Sequence, residues 1–228
     1  MAPALTAMRL IARSMLDPWE NVASEMSEAV RLNEGNHLIP VCDHYNIGNA
    51  HNRRKKYCMF VGLCHAGEGA MCAHLWPKCT RGRGLETLEL NAADVNNPRN
   101  FLRLHKSIEK AFDRKRIIFE LAEGDPPRGQ IWLRGRILDP SLRLETFTQK
   151  GCEIRFSTLD TKRMDYIFTQ TRKPFLRILA THACRAIDNA RNMNWIEDDP
   201  IKNEFVARSR ELARLSLDGN EAVINAFF

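Results

Sequence analysis

No stretch of the 228 residues approaches the roughly 20 consecutive apolar residues that a membrane helix needs. The expectation is therefore a soluble chain. A secretory pattern is missing too: over Met1 to Leu16, Arg9 and Arg13 lie inside the segment rather than ahead of an apolar run. Cys-x-x-Cys pairs are absent, the nearest spacings being Cys58 to Cys64 and Cys72 to Cys79, which argues against a zinc ribbon. The cysteine total is seven, an odd number scattered through a chain long for a disulfide scaffold. Reduced thiols in an intracellular compartment fit that usage. There is no internal repeat and no low-complexity tract, which excludes solenoids and arrays. Acid is lacking before Asp17, and Leu5, Met8, Ile11, Ala12 and Met15 fall at roughly helical spacing. A surface helix explains this better than a mitochondrial transit peptide, so nucleus or cytoplasm ranks ahead of mitochondrion.

What is present is an ordinary globular composition, 44% hydrophobic and 27% charged, with a net charge of +6 and a pI near 9.0. That balance leans towards a polyanionic partner, because Lys and Arg gain affinity by displacing counterions from phosphates.

The pattern along the chain is mixed. Asp17-Pro18-Trp19-Glu20 reads as a capped helix start, running to about Asn33 and stopping at Gly35. His37 to Cys42 reads as a short strand or extended piece, and Asp43 to Lys56 as a polar loop. Tyr57 to Leu63 and Ala70 to Leu75 are short and apolar around a Gly-rich link, which predicts a hairpin. Lys78 to Gly84 is a basic loop, and Asn91 to Asn100, with four Asn, Asp94 and Pro98, is a turn-rich connection. Leu102, Leu104, Ile108, Ala111 and Phe112 follow a helical pattern to about Arg114. Strands are predicted over Arg116 to Leu121, Gln130 to Ile137 and Cys152 to Phe156, with a firm turn at Asp125-Pro126-Pro127-Arg128-Gly129. From Thr161 the reading is helical: one segment to about Thr171, a long helix from Pro174 to Asn192, and one or two more over Pro200 to Phe228. The fold class is α+β. Its expected parts are an N-terminal helical segment (1–42), a central domain with its strands (43–160) and a helical C-terminal part (161–228).

Four short stretches occur in order within about sixty residues. They are Cys58-Met59-Phe60-Val61-Gly62; Cys72-Ala73-His74-Leu75-Trp76-Pro77; Asn97-Pro98-Arg99-Asn100-Phe101-Leu102-Arg103-Leu104; and Ile108-Glu109-Lys110-Ala111-Phe112-Asp113. Together they resemble the HNH nuclease family. The resemblance is to the variant common in fungal genomes, where Ala-His-Ile-x-Pro precedes Asn-x-x-x-Leu and then Ile-His-x-x-Phe-Asp. It covers Tyr57 to Leu121, with looser similarity to about Asn194.

The resemblance implies a ββα-metal core, a hairpin plus one helix with a divalent ion between them, and cleavage of nucleic-acid phosphodiesters. By that resemblance His74 is the general base, an imidazole able to take a proton from water near neutral pH. Asn100 matches the central Asn that holds the His-bearing loop; Asn97 is its rival in a turn-rich stretch. Counting from Asn100, the family's final His falls on Glu109 and the following Asp on Asp113. These two oxygen donors lie four residues apart on one helical face, and His105 extends the stripe by a turn. Such a set suits Mg²⁺ or Mn²⁺ better than zinc, since hard oxygens prefer hard cations. The bland reading is a solvated acidic face paired with Lys106, Lys110 and Arg114.

Two features depart from the pattern: Glu109 stands where the family has His, and Ala73 precedes His74 where many members have another ligand. An inactive HNH scaffold that binds nucleic acid or protein is thus a competing reading, and a zinc-stabilised interaction domain a third. Arg53, Arg54, Lys55 and Lys56 before the hairpin, with Lys78, Arg81 and Arg83 after His74, are placed to hold phosphates. Solvated loops or an import signal would explain them equally. DNA is expected ahead of RNA, with little sequence preference, because nothing resembles a base-reading helix. Arg172, Lys173, Arg177, Arg185 and Arg191 read as the solvated face of C-terminal helices.

Overall fold

The computed structural model describes residues 35–47, 56–64 and 69–196. The helices expected over Asp17 to Asn33 and over Pro200 to Phe228 lie outside the described residues.

The first described element is a helix, α1 (Gly35–His44), where a strand or extended piece was expected from the apolar run His37 to Cys42. Pro40 inside it forgoes one helical N–H bond. The helix holds because Val41, Cys42 and Tyr45 bury on one side of it, and Tyr45 donates its hydroxyl to the Phe101 carbonyl at 3.0 Å. Its end explains itself. Asn46 takes the left-handed conformation (φ 54°), so the N–H groups of Asn46 and Ile47 turn back to the Asp43 and Cys42 carbonyls. This is the αL cap that Asn, after Gly, tolerates best.

The hairpin expected between Tyr57–Leu63 and Ala70–Leu75 is not formed. Strand β1 (Tyr57–Cys58) instead folds directly onto β2 (Gly62–Leu63), with Gly62 at φ 75°. Strand β3 (Ala70–His74) pairs antiparallel with β4 (Phe101–His105), in the register Ala70↔His105, Cys72↔Arg103 and His74↔Phe101. The partner lies beyond a long connection built from 3₁₀ turns, which local alternation of apolar residues cannot anticipate. β1 lies beside β4: Met59 donates to the Arg103 carbonyl at 2.7 Å, and the His105 N–H is directed at the Cys58 sulfur at 3.1 Å.

The helix expected from Leu102 to about Arg114 is also shorter than its pattern. Its first part is β4, every residue of which is buried. Only α2 (Lys106–Asp113) is helical, starting where His105 Nδ1 accepts the Ser107 N–H at 3.2 Å. Ile108, Ala111 and Phe112, at i, i+3 and i+4, form its buried face over the β3–β4 ribbon. Lys115, at φ 59°, ends the helix, with Arg116 N–H returning to the Ala111 carbonyl at 2.9 Å.

Strand β5 (Ile117–Leu121) pairs with β7 (Leu133–Ile137) after the expected Pro-Pro turn, with β6 (Gln130–Ile131) just before β7. Within this pair Glu120 is fully buried and bridges to Arg134 at 2.8 Å and to Arg136 at 3.5 Å. β8 (Thr146–Gln149), which the sequence pattern did not single out, pairs with the expected β9 (Cys152–Arg155). The helix expected over Thr161 to Thr171 is absent. There the backbone bonds outward: Thr161 N–H to Gly135, Met164 N–H to Leu133 and Tyr166 N–H to Met59, all to carbonyls. Those cross-links preclude a helical ladder, and β10 (Phe168–Thr169) instead pairs with β6. Helix α3 (Leu176–Asn192) begins two residues after Pro174 and ends where expected, packing on β5 through Ala183, Ala186, Ile187 and Ala190.

The result is α+β: three described helices and five two-stranded antiparallel sheets around one main core. No described helix is long and apolar enough to cross a membrane.

Candidate functional site

His74 is the last residue of β3, opposite Phe101. Its ring centroid lies 4.2 Å from that of Phe101 and 5.7 Å, edge-on, from that of His37 on α1. His37 is itself stacked on Phe101 at 4.8 Å. The Nε2 atom of His74 is buried, with no hydrogen-bond partner among the described residues. Loss of water, then the neighbouring His37 and Lys78, holds its pKa down at about 3. At neutral pH the imidazole is therefore uncharged and can accept a proton, although its basicity is low until an anion approaches.

Directly behind it the chain is clamped. Asn100 is fully buried. Its Oδ1 accepts the Trp76 N–H at 2.8 Å, and its Nδ2 donates to the carbonyls of Trp76 at 3.0 Å and Val95 at 2.8 Å. The Asn100 carbonyl accepts the Leu75 N–H at 2.9 Å. One residue thus ties the two positions after His74 to the far end of the long connection. Trp76 donates its indole N–H to the Arg83 carbonyl at 3.2 Å and lies under Gly84, where a Cβ would come 2.9 Å from the ring. Asn97 acts more locally, accepting the Arg99 N–H at 3.0 Å and donating to Asp94 at 3.0 Å, so that it caps a 3₁₀ turn.

On α2 the carboxyl groups of Glu109 and Asp113 meet and share a hydrogen bond. Loss of water and the adjacent Glu109 both raise the Asp113 pKa; Asp113 reaches solvent, so the like charge is the weightier cause physically. His105 does not complete a three-residue stripe with them. Its Nδ1 caps the helix and its ring lies 5.0 Å from that of Phe147. Among the described residues no group of three His, Cys, Asp or Glu side chains could hold a metal. The imidazole and the carboxylate pair occupy one ribbon-and-helix unit, His74 at the Phe101 end and the acids on the helix that leaves the His105 end.

Of the basic residues singled out from sequence, Arg53, Arg54 and Lys55 lie outside the described residues, and Lys56 is half-buried. Lys78 is near enough to act on both His74 and His37. Arg81 and Arg83 are exposed on the loop that follows. The Cys58 thiol is pushed up by burial, and its sulfur lies near the Phe60 and His105 N–H groups, while Cys72 approaches Arg103 at 3.7 Å.

His37 and His44 were missed from sequence because α1 was read as extended. Seven residues apart, they lie on one side of a helix, and that spacing was the available signal. Arg99 was also missed as a charged group. Its Nε donates to the Lys173 carbonyl at 3.2 Å and its guanidinium lies 4.4 Å over the Phe175 ring.

No curated protein and no solved structure matches the chain. Residues 58–120 match the family model described as HNH endonuclease, a span that contains His74, its Asn100 clamp and the Glu109–Asp113 pair. Over this segment the chain is similar to the HNH endonuclease family.

Proposed function

We propose that the chain is a metal-dependent nuclease of the ββα-metal type, hydrolysing nucleic-acid phosphodiesters, DNA ahead of RNA. The observation that carries this reading is the Asn100 clamp, which fixes the backbone immediately behind an uncharged His74 inside the family-matched segment.

The donor set supports a hard divalent cation. Two carboxyl groups that share a hydrogen bond repel one another when both ionise, and a cation between them would relieve that repulsion. Glu109 and Asp113 would hold it, and oxygen donors favour Mg²⁺ or Mn²⁺ over zinc. A bound divalent cation neutralises charge on the phosphate and on the departing oxygen. His74 takes one proton from water on its imidazole ring, the water oxygen bonds to phosphorus, and the P–O bond to the leaving oxygen breaks with its electron pair. Asn100 holds the His74 end of the ribbon still, while Lys78, Arg81 and Arg83 secure the backbone on that side. Weak sequence preference follows, because these contacts address phosphates rather than base edges.

A second reading, an inactive scaffold that binds nucleic acid or a protein, has a specific observation in its favour. The described residues bring two acids together but no third ligand. Plasmid nicking separates the two. The enzyme reading expects Mn²⁺- or Mg²⁺-dependent nicking that EDTA stops and that His74→Ala reduces by about 10²–10⁴-fold, the usual contribution of a general base. A protein that shifts DNA mobility yet cuts with no divalent ion, or a His74→Ala variant as active as the parent, overturns it.

A further inference from the structure

Helix α1 carries a second histidine two turns beyond the one that meets His74. Over the seven residues from His37 to His44 the helix rises about 10 Å. At the His44 end three segments distant in sequence bring cations together. Arg99 arrives from the turn beside Asn100, Arg172 from the loop before α3, and Arg177 from the first turn of α3.

Two of the three are held in place by their side chains. Arg99 is pinned by its bond to the Lys173 carbonyl at 3.2 Å and by the Phe175 ring beneath it, and the Phe175 N–H returns to the Arg99 carbonyl at 2.9 Å. His44 also hydrogen-bonds the Lys173 backbone. Arg177 reaches across to the Leu88 carbonyl at 2.5 Å and lies 3.5 Å from Glu89. Arg172 is exposed.

The charges are unbalanced. Burial first, then Arg99 and Arg172, lowers the His44 pKa, and burial with Arg177 lowers that of Arg99. The acids within reach are few. Asp94 has its oxygens engaged by the Asn91 N–H and by Asn97, and Glu89 projects into solvent at 85% exposure. Crowded like charges facing neutral carbonyls are stabilised when an anion joins them.

We propose that Arg99, Arg172 and Arg177 form a subsite for a backbone phosphate of the nucleic-acid strand. About 10 Å along α1 from the His74 end, it takes a neighbouring phosphate of the strand that reaches His74. That placement rests on the phosphodiester reading; the anion site itself does not. It also gives α3 a role beyond packing, since its first turn carries part of the substrate track.

The test is a binding titration of the full chain in EDTA. A fluorescein-labelled duplex of about 24 base pairs is followed by anisotropy over a series of salt concentrations. Arg172→Gln with Arg177→Gln should reduce the slope of log affinity against log salt by about one, the share of a single phosphate, and weaken binding about tenfold at about 0.1 M salt. Arg172→Gln alone, which removes an exposed side chain, should give about half the change in slope and keep the parent's melting temperature. A control of equal charge, Arg143→Gln with Arg155→Gln, should leave the slope close to the parent's. An unchanged slope in the Arg172/Arg177 variants, or an equal loss in the control, overturns the subsite. The nuclease reading fails separately. If no divalent ion supports cutting while the slope still drops, the phosphate subsite stands and the hydrolytic role falls.

Discussion

Replacing Asn100 by Asp keeps the size of the side chain and reverses half of its chemistry. One oxygen still accepts the Trp76 N–H, at 2.8 Å in the parent. The other takes the place of a donor and faces the carbonyls of Trp76 and Val95, at 3.0 and 2.8 Å in the parent. Two hydrogen bonds are lost at about 1 kcal/mol each, two carbonyls are left unpaired, and a charge is confined where the parent residue has no exposure at all. The total at neutral pH is about 4 kcal/mol, which in urea moves the midpoint down by about 1.3–2 M for an m-value of about 2–3 kcal/mol/M. Burial and the two facing carbonyls raise the folded-state pKa of the new carboxyl. Stability is therefore recovered on acidification through that raised pKa, fully so only below the unfolded value near 3.9, because the protonated acid can donate to one carbonyl again. The measurement is paired urea denaturation of Asn100→Asp and the parent at about pH 7.5 and pH 5, reading the difference between the two proteins at each pH. Asn100→Ala, which removes the groups without adding charge, should show no such recovery. A loss under about 1 kcal/mol, or a gap that does not narrow in acid, would refute the clamp as described.

Two further outcomes follow from the core. His182 is stacked on Phe112 with ring centroids 3.7 Å apart; burial first, then Lys115 and Arg185, holds its pKa down at about 3. A lowered histidine is stable uncharged and takes its proton on unfolding, so stability falls as pH drops below 6.5, by about 2 kcal/mol at pH 5. Denaturation at about pH 7 and pH 5 should show that slope reduced by this amount in His182→Phe; an identical slope would count against it. At Gly135 a Cβ would stand 2.4 Å from Cζ of Phe60, so Gly135→Ala should cost about 1–3 kcal/mol, partly restored by Phe60→Leu. A melting temperature equal to the parent's would show that the ring can retreat.

Candidate site positions were easier to pick out from the sequence than the topology. The order of His74, Asn100, Glu109 and Asp113 could be read because each position is defined by its distance from Asn100, and counting from that residue also separates it from Asn97. Pairing could not be read that way. β3 is a short apolar run ending in His74, and nothing local states that its partner waits beyond the 3₁₀ turns rather than in the apolar run just before it. The periodicity of Leu102 to Phe112 blended a fully buried strand with the inner face of α2, because five residues alternating Leu102 and Leu104 with Arg103 and His105 run straight into the helical spacing. α1 was hidden by Pro40 and by the shortness of its apolar run, and with it went His37 beside the ribbon and His44 two turns on. The region from Thr161 to Thr171 carried helix-compatible residues whose backbone is engaged by β7 and the β1–β2 turn, a tertiary effect with no trace in spacing.

The hydrogen bonds of the Asn100 side chain to Trp76 and Val95 go to peptide groups. Such a fastening is blind to which side chains those two positions carry, and the demand for a large indole at 76 comes from elsewhere, from the floor beneath Gly84 and the Arg83 carbonyl. Surface residues of the intervening loop can consequently drift, exchanging one cation or polar group for another and retuning what the protein grips, while the spot where the imidazole stands is kept in place by an amide that never reads the changes.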